Sequence, residues 1–214
     1  MTVATDYTSL QTAIQEDLAR TDLSAELPNF IQKGEANLNR RLRLLSMETT
    51  ASVTLSSSAE TASLPSGFLE DITLRYTSNN ELLSSIPASS LDAIKSTTSG
   101  KPRYYTIGSS IEFERPSDST YTLTHRYFKK WDIATDDTNT LLTDNPDVYL
   151  YAGLVAALTR TGNHPRGELW ARELERAIMG LQKVDARTRR RGHLSVDRAL
   201  QGASSYWYDI NRGY

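Results

Sequence analysis

Apolar residues near the start of the chain recur every three or four positions, the spacing of one face of an α-helix. The stripe comprises Tyr7, Leu10, Ile14 and Leu18. Polar side chains that can accept a hydrogen bond from a free backbone N–H are preferred just before a helix. We therefore predict a first helix capped by Asp6 or Thr8, followed by a break at residues 21–24.

A second helical stripe begins near residues 24–28, where a proline in the first turn costs no hydrogen bond. Its members are Leu27, Phe30, Ile31, Gly34, Leu38, Leu42 and Leu45. Glycine costs up to about 1 kcal/mol inside a helix, so a glycine within the apolar stripe needs a reason. We expect Gly34 to mark the close approach of a neighbouring helix.

The composition and the apolar pattern in the middle of the chain are typical of strands and turns. Residues 49–63 are rich in Ser and Thr, which disfavour helices, and short alternating runs follow, among them Ile72, Leu74 and Tyr76. The clearest run, residues 120–128, places Tyr121, Leu123, His125 and Tyr127 on one face. Alternation of this kind is typical of a half-buried strand. A short helix near residues 90–95 is expected between the strands.

Helical spacing returns after Asp144. Asn145 is a candidate cap and Pro146 a first-turn proline, and an apolar stripe then runs to Leu158. The turn at residues 162–165 precedes a further stripe. Its members are Trp170, Leu174, Ala177, Ile178, Leu181 and Val184. These two stripes predict a helical hairpin.

The order of these patterns predicts an α+β fold. It is an antiparallel-type helical bundle with two N-terminal and two C-terminal helices, interrupted by a β-rich insertion and followed by an extended C-terminal tail. The predicted parts are residues 1–48, the first half of the helical core, and 49–140, the insertion. Residues 141–184 form the second half of the core, and 185–214 a partner-binding tail.

Composition narrows the class of protein. The 214 residues contain no cysteine, which excludes disulfides and thiolate metal sites. Asp6, Glu16 and Asp17 interrupt any apolar run near the start. The longest apolar stretch, at residues 149–158, is about half the length of a membrane span. We expect neither secretion nor membrane insertion.

Motifs that carry catalysis are missing from the sequence. It contains no Gly-rich phosphate loop, no G-x-S-x-G elbow and no pair of histidines at metal-ligand spacing. His125 lies on the apolar side of its strand, where a core or interface histidine is the simpler interpretation, and catalysis around it is the residual alternative. We expect no enzyme activity, no cofactor and no metal.

The C-terminal tail differs from the rest of the chain. It carries about +3 in net charge, leaving about −5 on the remainder. It is also rich in Tyr and Trp, which disordered tails usually lack and which, with Arg, anchor protein interfaces. The candidate partner-binding residues are Arg187, Arg189, Arg190, Arg191, Arg198, Tyr206, Trp207, Tyr208, Arg212 and Tyr214. Docking to a protein partner is the leading interpretation. Packing on its own subunit and contact with nucleic acid, as in a nucleic-acid-binding module, are the alternatives.

Several stretches, taken in order, resemble a known family. They include Leu27-Pro-Asn-Phe30, Asn37-Leu-Asn-Arg-Arg-Leu-Arg43, Leu64-Pro-Ser-Gly-Phe-Leu-Glu70, Gly100-Lys-Pro-Arg-Tyr-Tyr-Thr-Ile107 and Leu142-Thr-Asp-Asn-Pro-Asp-Val-Tyr-Leu-Tyr-Ala152. Together they resemble the head-to-tail adaptor (connector) proteins of tailed bacteriophages, over most of residues 1–184.

The resemblance implies a structural virion protein at the head–tail junction, made in the host cytoplasm. Its copies would form a twelve-fold homo-oligomeric ring between the portal protein and the tail or nozzle protein. DNA would pass through the ring without specific binding, and the C-terminal extension would reach the portal. Residues 185–214 lie outside the stretches that carry the resemblance.

Overall fold

The fold is mixed α+β, as expected. A computed structural model describes residues 4–190, which form seven α-helices and two small sheets. The N-terminal helices are α1, Tyr7–Leu18, and α2, Leu27–Arg41. Asp6 caps α1, since its carboxylate accepts the Ser9 N–H at 2.7 Å while the Ser9 hydroxyl accepts the Asp6 N–H at 3.0 Å. Asp6, and not Thr8, is therefore the cap.

The strands are β1, Glu48–Leu55; β2, Thr61–Ala62; β3, Phe68–Tyr76; β4, Ser84–Ser85; β5, Tyr104–Ile107; β6, Ile111–Phe113; and β7, Tyr121–Lys129. An antiparallel sheet has the order β1-β7-β3, and a second sheet has the order β2-β6-β5-β4. Helix α3, Ala88–Ile94, interrupts the strands where a short helix was predicted.

The remaining helices are α4, Ile133–Asp136; α5, Thr140–Asp144; α6, Pro146–Thr161; and α7, His164–Arg190. Helix α6 packs against α1, α2, α5 and α7. Pro146 lies in the first turn of α6, as predicted, but the Asn145 side chain makes no capping hydrogen bond. Gly162, at φ 71°, ends α6 in the left-handed conformation that glycine adopts without strain.

Gly34 lies at a close approach between α2 and α6. A Cβ at position 34 would lie 2.9 Å from the backbone carbonyl carbon of Ala152. The two backbones can approach this closely only because position 34 has no side chain. The expected helix contact is therefore confirmed.

Two apolar cores occupy the two parts of the fold. The helices bury one, around Phe30, Leu38 and Leu154. The sheets enclose the other, around Leu55, Phe113 and Leu123. On β7, Leu123, His125 and Tyr127 are buried while Thr122 and Arg126 are exposed, which confirms the predicted face.

Three features differ from the sequence prediction. Helix α4 lies inside the residues assigned to the β-rich insertion, because one turn of helix is too short to show a period. Alternation alone would group Ile72 with Leu74 and Tyr76, but Ile72 falls in a β-bulge and packs against the helical core. Helix α7 continues to Arg190, beyond the boundary drawn after Val184.

Candidate partner-binding site at the end of the last helix

The end of α7 is fastened to the connection between α2 and β1. The Asp185 carboxylate accepts the Leu45 N–H at 2.7 Å and the Arg189 Nε–H at 2.6 Å. Arg189 also donates to the backbone carbonyl of Arg43 at 2.8 Å, and its Nη1 lies 3.6 Å from the Glu48 carboxylate. The last turn of α7 is therefore positioned by two side chains that bind backbone groups of another element.

These contacts fix the position of the end of α7 against the sheet. Glu48 is the first residue of β1, and the Arg189 guanidinium carbon lies 5.8 Å from the centre of the Phe128 ring at the end of β7. Helix α7 therefore ends beside one end of the three-stranded sheet. This location could not be inferred from the tail sequence, because the partners of Arg189 are distant along the chain.

The ten predicted site residues fall into three groups. Arg189 is engaged with the body, so it positions the helix end and is not a free partner-binding cation. Arg187 is exposed, and Arg190 is the last residue of α7. The other predicted residues, Arg191, Arg198, Tyr206, Trp207, Tyr208, Arg212 and Tyr214, lie outside the described residues.

Asp185 and Glu48 are site residues that the sequence reasoning missed. The four-residue spacing of Asp185 and Arg189 on a helix was a usable signal for their ion pair. No comparable signal existed for Glu48 or Leu45, whose pairing with α7 depends on the tertiary fold.

A groove of about 320 Å³ lies beside the same helix end. Leu44, Leu141, Leu181, Val184 and Thr188 are among the residues that line it. Val184 is 60% exposed there, which is unusual for a large aliphatic residue at helical core spacing. The helix end thus combines a fixed geometry with uncovered apolar surface.

His125 belongs to a buried link between the two sheets. Its Nε2 lies 2.8 Å from Asp71 Oδ1, and the other Asp71 oxygen accepts the Tyr105 hydroxyl at 2.7 Å. The bulge in β3 makes this possible, because it places Asp71 and Leu74 on the same face. Burial, together with the hydrogen bond to Asp71, raises the pKa of the Tyr105 phenol. The ring of His125 also stacks on Phe68 at 5.6 Å.

A second buried network joins the helices. The Glu35 carboxylate on α2 accepts the Ile133 N–H at 2.9 Å and the Tyr149 hydroxyl at 2.8 Å. Asn139 in turn donates to the Tyr149 oxygen at 2.7 Å. Burial raises the pKa of the Glu35 carboxyl, although both donors oppose that shift. This network fixes the short segment between β7 and α6.

Both networks connect structural elements. The hydrogen bonds of His125 and Glu35 run to Asp71, to Tyr149 and to the backbone of Ile133, all of them groups that hold one element against another. Across residues 4–190, no three His, Asp or Glu side chains are grouped closely enough to hold a metal ion. In the same range, no helix has the length and apolar character to cross a membrane.

Comparison with known families gives a match to nearly the whole chain. The sequence model of the SU10 adaptor protein family matches residues 5–197. The chain belongs to this family. It is a family of phage head-to-tail adaptors, so the resemblance seen in the sequence is confirmed.

The match to the SU10 adaptor family also corrects the extent of that resemblance. It covers all of α7 and Arg191, which follows the helix, whereas the stretches recognised in the sequence end before residue 185. Of the predicted partner-binding residues, only Arg198 and those after it lie outside the match. No curated protein matches the chain.

Proposed function

We propose that this chain is a non-catalytic virion subunit that joins the phage portal to the tail. Copies form a homo-oligomeric ring, twelve-fold in the simplest case, and the ring surrounds the passage for DNA. Family membership across residues 5–197 is the observation that carries the proposal. The same reasoning assigns the portal and tail proteins as partners and the head–tail junction of the virion as location.

The C-terminal residues supply the contact to the portal in this proposal. The contacts at the end of α7 support this, because they fix the position of the helix end that precedes residues 191–214 in the sequence. A segment that starts from a fixed point loses less freedom when it docks than one attached to a mobile end. Tyr206, Trp207, Tyr208 and Tyr214 are the proposed anchors, and the arginines that follow Arg190 supply the charged contacts.

The net charge of residues 1–184 is compatible with a passage through which DNA slides without being bound. Tight binding requires several cations on phosphates. Residues 1–184 instead carry about −5. Contacts to passing DNA are therefore weak, and DNA can slide.

Mixing the chain with its portal protein tests the proposal. Native mass spectrometry of the intact chain should show portal complexes carrying several copies in a fixed ratio. The chain truncated after Arg190, which keeps Asp185 and Arg189, should bind portal at least tenfold more weakly, because a few interface anchors dominate affinity.

The matched control is Tyr104→Ala in the intact chain, which removes an exposed aromatic of the β block and should leave binding unchanged. Equal portal binding by the intact and truncated chains would contradict the assignment of the tail. Absence of any portal complex, with salt-sensitive binding of duplex DNA by the isolated chain, would support the nucleic-acid-binding module instead.

A further inference from the structure

The outward face of α7 is basic and uncovered. The helix buries Leu174 and Ile178 against the body. The opposite face, recurring at steps of three and four, consists of Leu169, Arg172, Arg176, Met179, Lys183 and Arg187. Leu169 is 54% exposed and Met179 55% exposed. We call these six residues the α7 outer face.

Most cations of the α7 outer face lack a partner on the body. Arg176 donates to Glu173 at 2.7 Å, an exposed pair one turn away. Arg172, Lys183 and Arg187 form no ion pair with any residue between 4 and 190. Leu169 and Met179 add apolar surface among these charges. The α7 outer face therefore presents three cations that have no described ion pair.

The same chain carries a segment of opposite charge. Residues 131–159 contain five aspartates and no Lys, Arg, Glu or His. The aspartates are Asp132, Asp136, Asp137, Asp144 and Asp147, and we call residues 132–147 the acidic segment. Four of them are exposed, and Asp136 alone has a described ion pair, at 3.5 Å from Lys129.

We propose that the α7 outer face of one copy docks against the acidic segment of a second copy. The inference rests on the proposed ring, for which it names the contact between neighbours. No described ion pair joins the two surfaces within one chain, so both remain available to another copy. Because the two surfaces differ, the contact is heterologous, and repetition of such a contact generates a ring when the rotation closes.

The size of the outer face limits the strength of this contact. From residue 169 to residue 187 the helix rises about 27 Å, and a strip about 10 Å wide along it covers roughly 300 Å². A stable interface buries about 800 Å² on each partner. The contact is therefore weak in the isolated chain, and its exposed ion pairs weaken further with salt. Ring assembly then needs additional contacts, which the portal supplies in the proposed function.

Cross-linking tests the contact directly because the chain contains no cysteine. Met179→Cys places a thiol on the outer face, and Ala134→Cys places one on the acidic segment. Mixed copies treated with a short bis-maleimide, alone at high concentration and with portal, should give a mixed dimer. In the matched control, Ser78→Cys at an exposed turn takes the place of Ala134→Cys. The yield of mixed dimer should then be at most a tenth of that with Ala134→Cys. Equal yields would overturn the proposal, as would cross-links of Met179→Cys only with itself.

Charge reversal supplies a second readout. Arg172→Glu with Arg176→Glu should weaken self-association about tenfold at low salt, in line with the loss of two exposed pairs. Asp136→Lys with Asp144→Lys should do the same, and a mixture of the two variants should recover association between them. No recovery in the mixture would contradict the proposed pairing.

The two proposals fail in different ways. A portal-bound ring without the mixed cross-link would overturn this interface and leave the adaptor function intact. A mixed cross-link in a chain that never binds portal would support the interface and contradict the adaptor function.

Discussion

The carboxylate of Asp185 accepts a hydrogen bond from the backbone N–H of Leu45 at 2.7 Å, across 140 residues of sequence. This contact joins α7 to the connection that leads from α2 into β1. The same carboxylate holds Arg189 at 2.6 Å. A residue that the sequence analysis assigned to the partner-binding tail therefore holds the end of α7 against the rest of the fold.

Removal of the Asp185 carboxylate should release the end of α7. In Asp185→Ala, the Leu45 N–H and the Arg189 guanidinium both lose an acceptor, and exposed contacts of this kind contribute about 1 kcal/mol each. We expect hydrogen exchange at Leu45 and at residues 186–190 to accelerate, with a small change in the free energy of unfolding. Asp185→Asn keeps an acceptor oxygen and should have an intermediate effect. Arg187→Ala is the control, and equal acceleration in that variant would contradict the assigned role.

A side chain at position 34 should separate α2 from α6. In Gly34→Ala, the new Cβ would meet the backbone of Ala152, which has no freedom to move aside. Overpacking of this kind costs about 1–3 kcal/mol. Gly180→Ala in α7 is the matched control, because nothing lies within 4 Å of its Cβ position. That control should be stabilised by up to about 1 kcal/mol. Urea unfolding measures the free energy of unfolding of both variants. Similar free energies for Gly34→Ala and Gly180→Ala would argue against the close approach.

Tyr105 should stabilise the link between the sheets through its hydroxyl. In Tyr105→Phe, Asp71 loses the donor at 2.7 Å while its second oxygen still faces His125. A buried acceptor left without its donor costs about 1–3 kcal/mol. Tyr104→Phe removes the hydroxyl of the adjacent, 40% exposed tyrosine and should change the free energy of unfolding by less than about 0.5 kcal/mol. Thermal unfolding distinguishes the two variants. An equal loss of stability in both would contradict a stabilising role for the Tyr105 hydroxyl.

Glu35 should make the stability of the fold decrease as pH rises. Burial raises the pKa of its carboxyl in the folded chain above the ordinary value of 4.5. The folded state therefore binds more protons than the unfolded state between those two pKa values, and the free energy of unfolding falls as pH rises through that window. Glu35→Gln cannot ionise and should lose this part of the pH dependence while keeping an acceptor for Ile133 and Tyr149.

Urea unfolding measured at a series of pH values from about 4 upward tests the role of Glu35. Tyr149→Phe is the complementary variant, because it keeps the carboxyl but removes one of its donors at 2.8 Å. Loss of that donor raises the pKa of the Glu35 carboxyl further, so the decrease in stability should extend to higher pH. An unchanged pH profile in Glu35→Gln would show that another group is responsible.

Periodicity in the sequence was sufficient to predict the long elements. The stripes of α1, α2, α6 and α7 and the alternation of β7 are long enough to define a buried face. Gly34 was informative because glycine destabilises a helix interior, so its place in an apolar stripe indicates a close contact. Short helices such as α4 contain one turn, so no period can be seen in them.

Contacts between distant residues could not be predicted in the same way. Glu35 was not singled out, because its donors on Ile133 and Tyr149 are about a hundred residues away. Asp71 reaches the buried face only through a bulge, which the alternating pattern does not encode. For the tail, composition indicated a partner, but the engagement of Arg189 depends on where α7 meets β1.

Electron microscopy of the chain mixed with its portal protein tests the central claim most directly. The proposed function predicts one closed ring of copies bound to the portal, with the tail residues that follow Arg190 extending onto the portal surface. Portal particles that carry no additional ring, at chain concentrations well above those of the portal, would contradict it.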